Sequence, residues 1–133
     1  MIGIDTNVLV RHIVQDDQKQ AREATRLIES HCTADDPGLI SLVVLCELVW
    51  VLDCGYGYDR DTIAGLLRRL LAVSDLRIER SELAWQAAGL YEKGKADFAD
   101  YVIGLSHSAQ GAEITYTFDR RASGGKLFKL VES

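Results

Sequence analysis

The sequence is poor in the features that would announce several common kinds of protein. It has one proline, one methionine and three histidines, no low-complexity tract and no repeat at solenoid spacing. Its most apolar stretch, Leu39 to Leu52, is too short to span a bilayer and carries Glu47 in its middle. The opening residues lack the basic start and long apolar core of a signal peptide. The expectation is therefore a soluble, cytoplasmic protein with no membrane partner. Cys32, Cys46 and Cys54 are odd in number and show no CxxC spacing, which argues for buried free thiols over disulfides or a zinc site. His12, His31 and His107 are scattered on likely helix positions and read as surface or half-buried residues. No nucleophile elbow, Walker loop or GxGxxG is present, and Gly55-Tyr56-Gly57 lacks the context of a phosphate cradle. A basic excess is missing too. With 15 basic and 20 acidic residues the net charge is −5, which taken alone argues against a nucleic-acid binder. Setting aside Asp5, Glu47, Asp97, Asp100 and Asp119 leaves 15 acidic against 15 basic residues, so the balance weighs little either way.

What is present is an alternation of short strand-like and helical stretches in 133 residues, a length for one domain. Ile2–Asp5 reads as a buried strand and Asn7–Val14 as a helix. Gln18–Ser30 places Ala21, Ala24, Leu27 and Ile28 on one helical face. Asp35-Asp36-Pro37-Gly38 is a turn before a strand at Leu39–Ser41, and an apolar helix runs from about Leu42 to Asp53. Asp59–Ala72 is a helix with Asp59 or Asp61 as N-cap, Asp75–Glu79 a strand, and Ser81–Tyr91 a helix whose Ser81-Glu82 start suits capping. A helix around Asp97–Gln110 stops at Gly111, and strands follow at Ile114–Phe118 and Leu127–Val131. Strands separated by helices pair in parallel through right-handed crossovers, which predicts an α/β sandwich. Ligands of such sheets bind beyond the carboxyl ends of the strands.

Four acids sit singly in well-separated segments near that rim. Asp5 ends the first strand, Glu47 is the only charge between Leu39 and Leu52, Asp100 lies early in its helix, and Asp119 follows the strand Ile114–Phe118. Gathered charges of one sign are costly unless a cation offsets them, and a divalent metal does so most economically. Each has a plainer role to weigh: Asp5 and Asp97 as N-caps, Asp119 as a turn residue, Glu47 on an exposed stripe. If Glu47 were instead packed on both sides, its carboxyl would take up a proton unless partnered. Asp97 and Asp100 share a helix face, and as an interior residue Asp100 would gain only a dipole interaction. The basic pairs Arg68-Arg69, Lys93/Lys95 and Arg120-Arg121 read mostly as solvated faces. Lys93, Lys95, Arg120 and Arg121 flank the acids and are candidates for phosphate contacts.

In order along the chain, Asp5-Thr6-Asn7-Val8-Leu9-Val10, Ser41 to Glu47, Ala96-Asp97-Phe98-Ala99-Asp100-Tyr101-Val102-Ile103 and Thr117-Phe118-Asp119-Arg120-Arg121-Ala122 resemble the PIN-domain ribonucleases, specifically VapC-type toxins of toxin–antitoxin pairs. The motifs are short, but four occur in order across the chain. The resemblance implies one PIN domain over residues 1–133, a three-layer sandwich with a central, mainly parallel sheet of four to five strands flanked by helices. It implies a catalytic set of Asp5, Glu47, Asp100 and Asp119, with Asp5 and Asp100 as main metal ligands and Asp97 a further ligand or only a cap. Thr6, Asn7 and Thr117 would orient the carboxylates. After Asp100 the chain runs Tyr101-Val102-Ile103-Gly104-Leu105 where many relatives run Ala-Leu-Ile-Ala-Ala. Asp100 and Ile103 keep their places, and Tyr101 bears on packing or groove shape and so on substrate preference.

An all-oxygen donor set selects Mg²⁺, with Mn²⁺ able to substitute, over zinc. The resemblance implies RNA hydrolysis leaving a 3′-hydroxyl and a 5′-phosphate, and a cognate VapB-like antitoxin that could form a toxin–antitoxin hetero-oligomer. Trp50, Tyr56 and Tyr58 would receive an antitoxin helix. A homodimer is expected because the Leu42–Leu52 helix and the face Ile63, Leu66, Leu67, Leu70 offer more apolar surface than one small sheet covers. The alternatives are a housekeeping PIN-type RNA-processing nuclease and a non-catalytic PIN binding module. An aspartyl-phosphate phosphatase would need an aspartate where Asn7 stands.

Overall fold

The computed structural model describes residues 1–132. Residues 2–4 run extended beside strand β1 (Gly38–Ile40): Leu39 N donates to the Ile2 carbonyl (2.7 Å) and Ile4 N to the Leu39 carbonyl (2.9 Å). β1 pairs in parallel with β2 (Leu76–Ile78), matching Gly38 to Leu76 and Ile40 to Ile78. A second parallel pair joins β3 (Thr115–Thr117) to β4 (Phe128–Leu130). The fold is the expected mixed α/β arrangement with parallel strands between helices. Among the described residues, however, the strands form two pairs, the first widened by residues 2–4, and no continuous sheet. Strands of three residues carry few ladder bonds, so most of the cohesion falls to side-chain packing.

The helices follow the sequence pattern closely. α1 (Thr6–Val14) starts at Asp5. α2 (Gln18–His31) buries Ala21, Ala24 and Ile28 on its inner face but leaves Leu27, expected there too, exposed at its edge, and is capped by Asp17, whose carboxylate accepts from Gln20 N. α3 (Leu42–Trp50) is held at its start twice, by Ser41 Oγ accepting from Val44 N (3.2 Å) and by Glu79 Oε1 accepting from Leu42 N (2.9 Å). It passes into a π-helical turn (Val51–Gly55), and Gly57, at φ +70°, makes the reversal that follows. α4 (Arg60–Ala72) begins at Asp59, which accepts from Thr62 N at 2.8 Å. α5 (Ser81–Lys93) departs from expectation at its start. Arg80, in left-handed conformation, takes the cap position without a side-chain bond, and Ser81 is already helical. α6 (Phe98–Ala109) has Asp97 as its N-cap.

Leu9, Ile40, Leu45, Leu48, Leu52, Ile63, Leu67 and Phe98 form the centre of the core. Phe98 meets Tyr91 edge-on at 6.0 Å, and Arg60 lies over the other ring at 4.4 Å to its centroid. This packing removes the reason given for excess apolar surface. The inward residues of α3 and the Ile63, Leu67 and Leu70 face of α4 are already covered within one chain. The apolar residues left outside are others, among them Val43, Trp50, Ile103 and Phe118. Of the cysteines only Cys32 is buried, with Cys46 intermediate and Cys54 exposed. Arg68 is not freely solvated, because it forms a two-pronged pair with Glu92 at 2.8 and 3.1 Å. No helix among the described residues is long and apolar enough to cross a membrane. A second small cluster of Ala96, Ala122 and Phe128, with Tyr101 and Leu127 against it, ties the turn after β3 to the start of α6.

Candidate active site

The five acids fall into two groups. In the first, Asp5 leaves the extended N-terminal segment and caps α1, its Oδ1 accepting from Thr6 N at 2.8 Å. Thr6 Oγ1, one residue on, donates to Glu47 Oε1 at 2.7 Å. A threonine on α1 thereby fixes a carboxylate on α3, across 41 residues of sequence. Asp5, Thr6, Asn7, Val10, Arg11, Glu47, Val51 and Tyr56 line a cavity of about 380 Å³. Asn7 lines it without bonding to a carboxylate among the described residues. Glu47 is exposed, on an outward stripe with Val43 and Trp50 at helical spacing, while Leu45, Leu48 and Leu52 turn inward. It is not walled off by α3's packing.

The second group gathers Asp97, Asp100 and Asp119 around the start of α6. Asp97 N donates to Asp100 Oδ2 at 3.2 Å, so Asp100 takes part in capping as well as facing the helix dipole. Asp119 sits in the turn after β3, where Thr117 Oγ1 accepts from its N–H (3.0 Å) and its own Oδ1 accepts from Arg121 N (2.8 Å). Thr117 thus holds the backbone of Asp119, while Arg121 holds its carboxylate. The Arg121 guanidinium reaches in, 3.5 Å from Asp119 Oδ2 and 3.9 Å from Asp97 Oδ2. The bond from Arg121 N, aided by the guanidinium, holds the Asp119 carboxyl below its ordinary value despite some burial. Asp100 moves the other way. Burial raises it, the Asp97 N–H opposes, and the negative charges of Asp97 and Asp119 add to the rise. Lys93, Lys95 and Arg120 are exposed beside this group and make no ion pair among the described residues.

α3 borders both groups. Its Glu47 faces the Asp5 cavity, and Cys46, Val49 and Trp50 share a small cleft with Asp97 and Phe98 of the α6 start. Among the described residues no three His, Cys, Asp or Glu side chains converge as a ready ligand set. The donors nonetheless fit a hard divalent cation in kind. All are carboxylate oxygens, Asp100 lies under the negative charges of Asp97 and Asp119, and a cationic side chain is already drawn to those two.

The PIN domain family model matches residues 2–124. This chain belongs to the PIN domain family. PIN domains are generally metal-dependent nucleases, and the matched span contains Asp5, Glu47, Asp97, Asp100 and Asp119. No curated protein and no solved structure matches the chain significantly. In this PIN domain the residue that sequence reading passed over is Arg11, which lines the cavity with Asp5 and Glu47. Its signal was only its place one turn after Asn7 on α1.

Proposed function

We propose that this PIN domain, taken as residues 1–133, is a Mg²⁺-dependent endoribonuclease, with Mn²⁺ able to substitute, and the toxin of a toxin–antitoxin pair. The observation that carries the reading is the gathering of Asp97, Asp100 and Asp119 at the start of α6, where Asp97 N donates to Asp100 and Arg121 reaches both Asp97 and Asp119. A hydroxyl-fixed Glu47 lines the same cavity as Asp5. In this reading Asp5 and Asp100 are the principal ligands, with Glu47 and Asp119 completing the acidic set and Asp97 acting at least as a cap. The ion, when bound, supplies Lewis acidity toward a phosphate oxygen and makes water acidic enough to serve as a nucleophile at neutral pH. Glu47, oriented by Thr6, holds the attacking water and takes its proton. The water oxygen adds to phosphorus, the bond from phosphorus to the 3′-oxygen breaks, and a proton passes to that oxygen, leaving a 3′-hydroxyl and a 5′-phosphate.

A cytoplasmic nuclease of this kind needs restraint, which the reading assigns to a small VapB-like antitoxin bound in a hetero-oligomer. Half-exposed Tyr56 lines the cavity with Tyr58 beside it, and exposed Trp50 lines the cleft with Asp97, so the three offer aromatic surface for it. We also propose a homodimer, now resting on exposed Val43, Trp50, Ile103 and Phe118 in place of the α4 face. The deciding experiment is incubation of the purified protein with single-stranded RNA and Mg²⁺ or Mn²⁺, with and without chelator. Cleavage that needs the ion supports the reading, and full cleavage in chelator removes the metal from it. Expression with and without the open reading frame immediately upstream tests the toxin role. If the chain alone is harmless and no neighbouring product suppresses its activity, a housekeeping RNA-processing nuclease replaces the toxin.

A further inference from the structure

We infer that Arg11 is a phosphate-binding residue that grips the RNA backbone beside the scissile bond. The inference rests on the nuclease reading above. Two cavities, of about 380 and 520 Å³, meet at Asn7 and Arg11. The smaller contains Asp5 and Glu47, and the larger runs between α1 and α2 past Gln20, Glu23 and Leu27. Arg11 is the only cation among the residues lining either one. A polyanion entering an acidic cleft needs positive charge beyond the reacting phosphate, and here that charge stands at the junction. Its side chain is also held in advance. Nε donates to Gln20 Oε1 at 2.6 Å and Nη1 to Asp16 Oδ1 at 3.1 Å, while Asp16 Oδ2 accepts from Tyr56 Oη at 2.9 Å. Nη2 has no protein partner among the described residues, so part of the guanidinium fork is unspent. Gln20, Asp16 and Tyr56 act as positioning residues, since they fix a long side chain that would otherwise lose rotamer freedom on binding. A purely structural arginine joining α1 to the start of α2 is the competing account. An ion pair 35% and 44% exposed would contribute little in that role.

The test uses the full chain carrying Asp100→Asn, so that RNA is bound and not cut. Anisotropy of a labelled single-stranded RNA is measured with Mg²⁺ across a salt series. Arg11→Gln is expected to weaken binding about tenfold or more, as for a lost charge-assisted bond. It should also shrink the slope of log affinity against log salt by about 0.7, the value for one phosphate contact on a single strand. Arg11→Lys keeps the charge and loses the fork, so it should keep the slope and lose affinity several-fold. That variant carries the test if Arg11→Gln does not fold, and wild-type affinity in it would then overturn the assignment. Unchanged affinity and slope in a folded Arg11→Gln protein would overturn the inference while the nuclease reading stands. So would an effect confined to a glutamate-rich peptide, which would assign Arg11 to a protein partner. Wild-type protein that neither binds nor cuts RNA with Mg²⁺ or Mn²⁺ would remove the nuclease reading itself.

Discussion

Thr6 shows how much one hydroxyl can decide. It is the first residue of α1, its N–H is met by Asp5, and its Oγ1 orients Glu47 on another helix. Removing it while keeping the branched shape, Thr6→Val, should leave the fold intact and lower kcat about 10- to 100-fold, the usual cost of losing a partner that orients a site carboxylate. Steady-state kinetics on a short RNA would show this, with KM little changed. Asp5→Asn and Asp100→Asn should each abolish turnover, Glu47→Gln should be similarly severe, and Asp97→Asn milder. Asp100→Asn should also raise the melting temperature of metal-free protein, because it removes a carboxylate that burial and two like charges disfavour. If Asp97→Asn is dead and Asp100→Asn is not, the roles of the pair are reversed. The thiols offer a check on packing. Burial pushes Cys46 up to about 11 and also raises Cys32, whereas Cys54 is exposed. Alkylation of native protein followed by peptide mass mapping should mark Cys54 well before the other two, since the thiolate is the reactive form.

Between elements, tight approaches carry the stability. Gly104 on α6 faces the chain leading into β4, where an added Cβ would lie 2.9 Å from Leu127 Cβ and from Phe128 Cε2. Gly104→Ala should therefore cost about 1–3 kcal/mol by forcing the helix and strand apart, despite alanine's better helix propensity, as read in urea melts. Tyr101 also has a local reason, since its hydroxyl accepts from Ala96 N (3.4 Å) and lies against Gly94, where a side chain would collide with it. It braces the loop that delivers Asp97. The pair Arg68–Glu92 ties α4 to α5, and the bond from Arg68 holds Glu92 below its ordinary 4.5. A depressed carboxyl stabilises the fold above 4.5, and that contribution is lost as pH falls through the lower native value. Glu92→Gln should accordingly lessen stability at neutral pH and flatten its decline in acid below 4.5, measured by melting at a series of pH values. The effect should be small, because both side chains are partly exposed.

For the molecule as a whole, the apolar residues left at the surface set the question of assembly. Trp50 is 66% exposed and Phe118 83%. Light scattering at micromolar concentration is expected to give twice the 14.8 kDa chain mass, falling toward the monomer value with Trp50→Glu. A monomer at all concentrations would remove the homodimer proposal. The acids also belong to this scale, because α3 lines both the cavity that holds Asp5 and the cleft that holds Asp97.

Much of this arrangement was legible from the chain alone, because it rests on local chemistry. The spacing of Ala21, Ala24 and Ile28 places α2, and Asp59 ahead of Ile63 starts α4. Asp97 caps α6, and the alternation of strand and helix dictates parallel pairing. Periodicity and capping need only neighbours within a turn or two, and those neighbours are written in order. Other features depended on contacts between distant segments. Whether Glu47 faced water was set by which sides of α3 its neighbours cover, and they covered Leu45, Leu48 and Leu52. Arg11 acquired its place through Asp16, Gln20 and Tyr56, and Asp119 through Thr117 and Arg121. Sequence order specifies a helix face. Only the packed molecule decides what that face meets, because burial is a property of surfaces brought together and not of the residue that bears them.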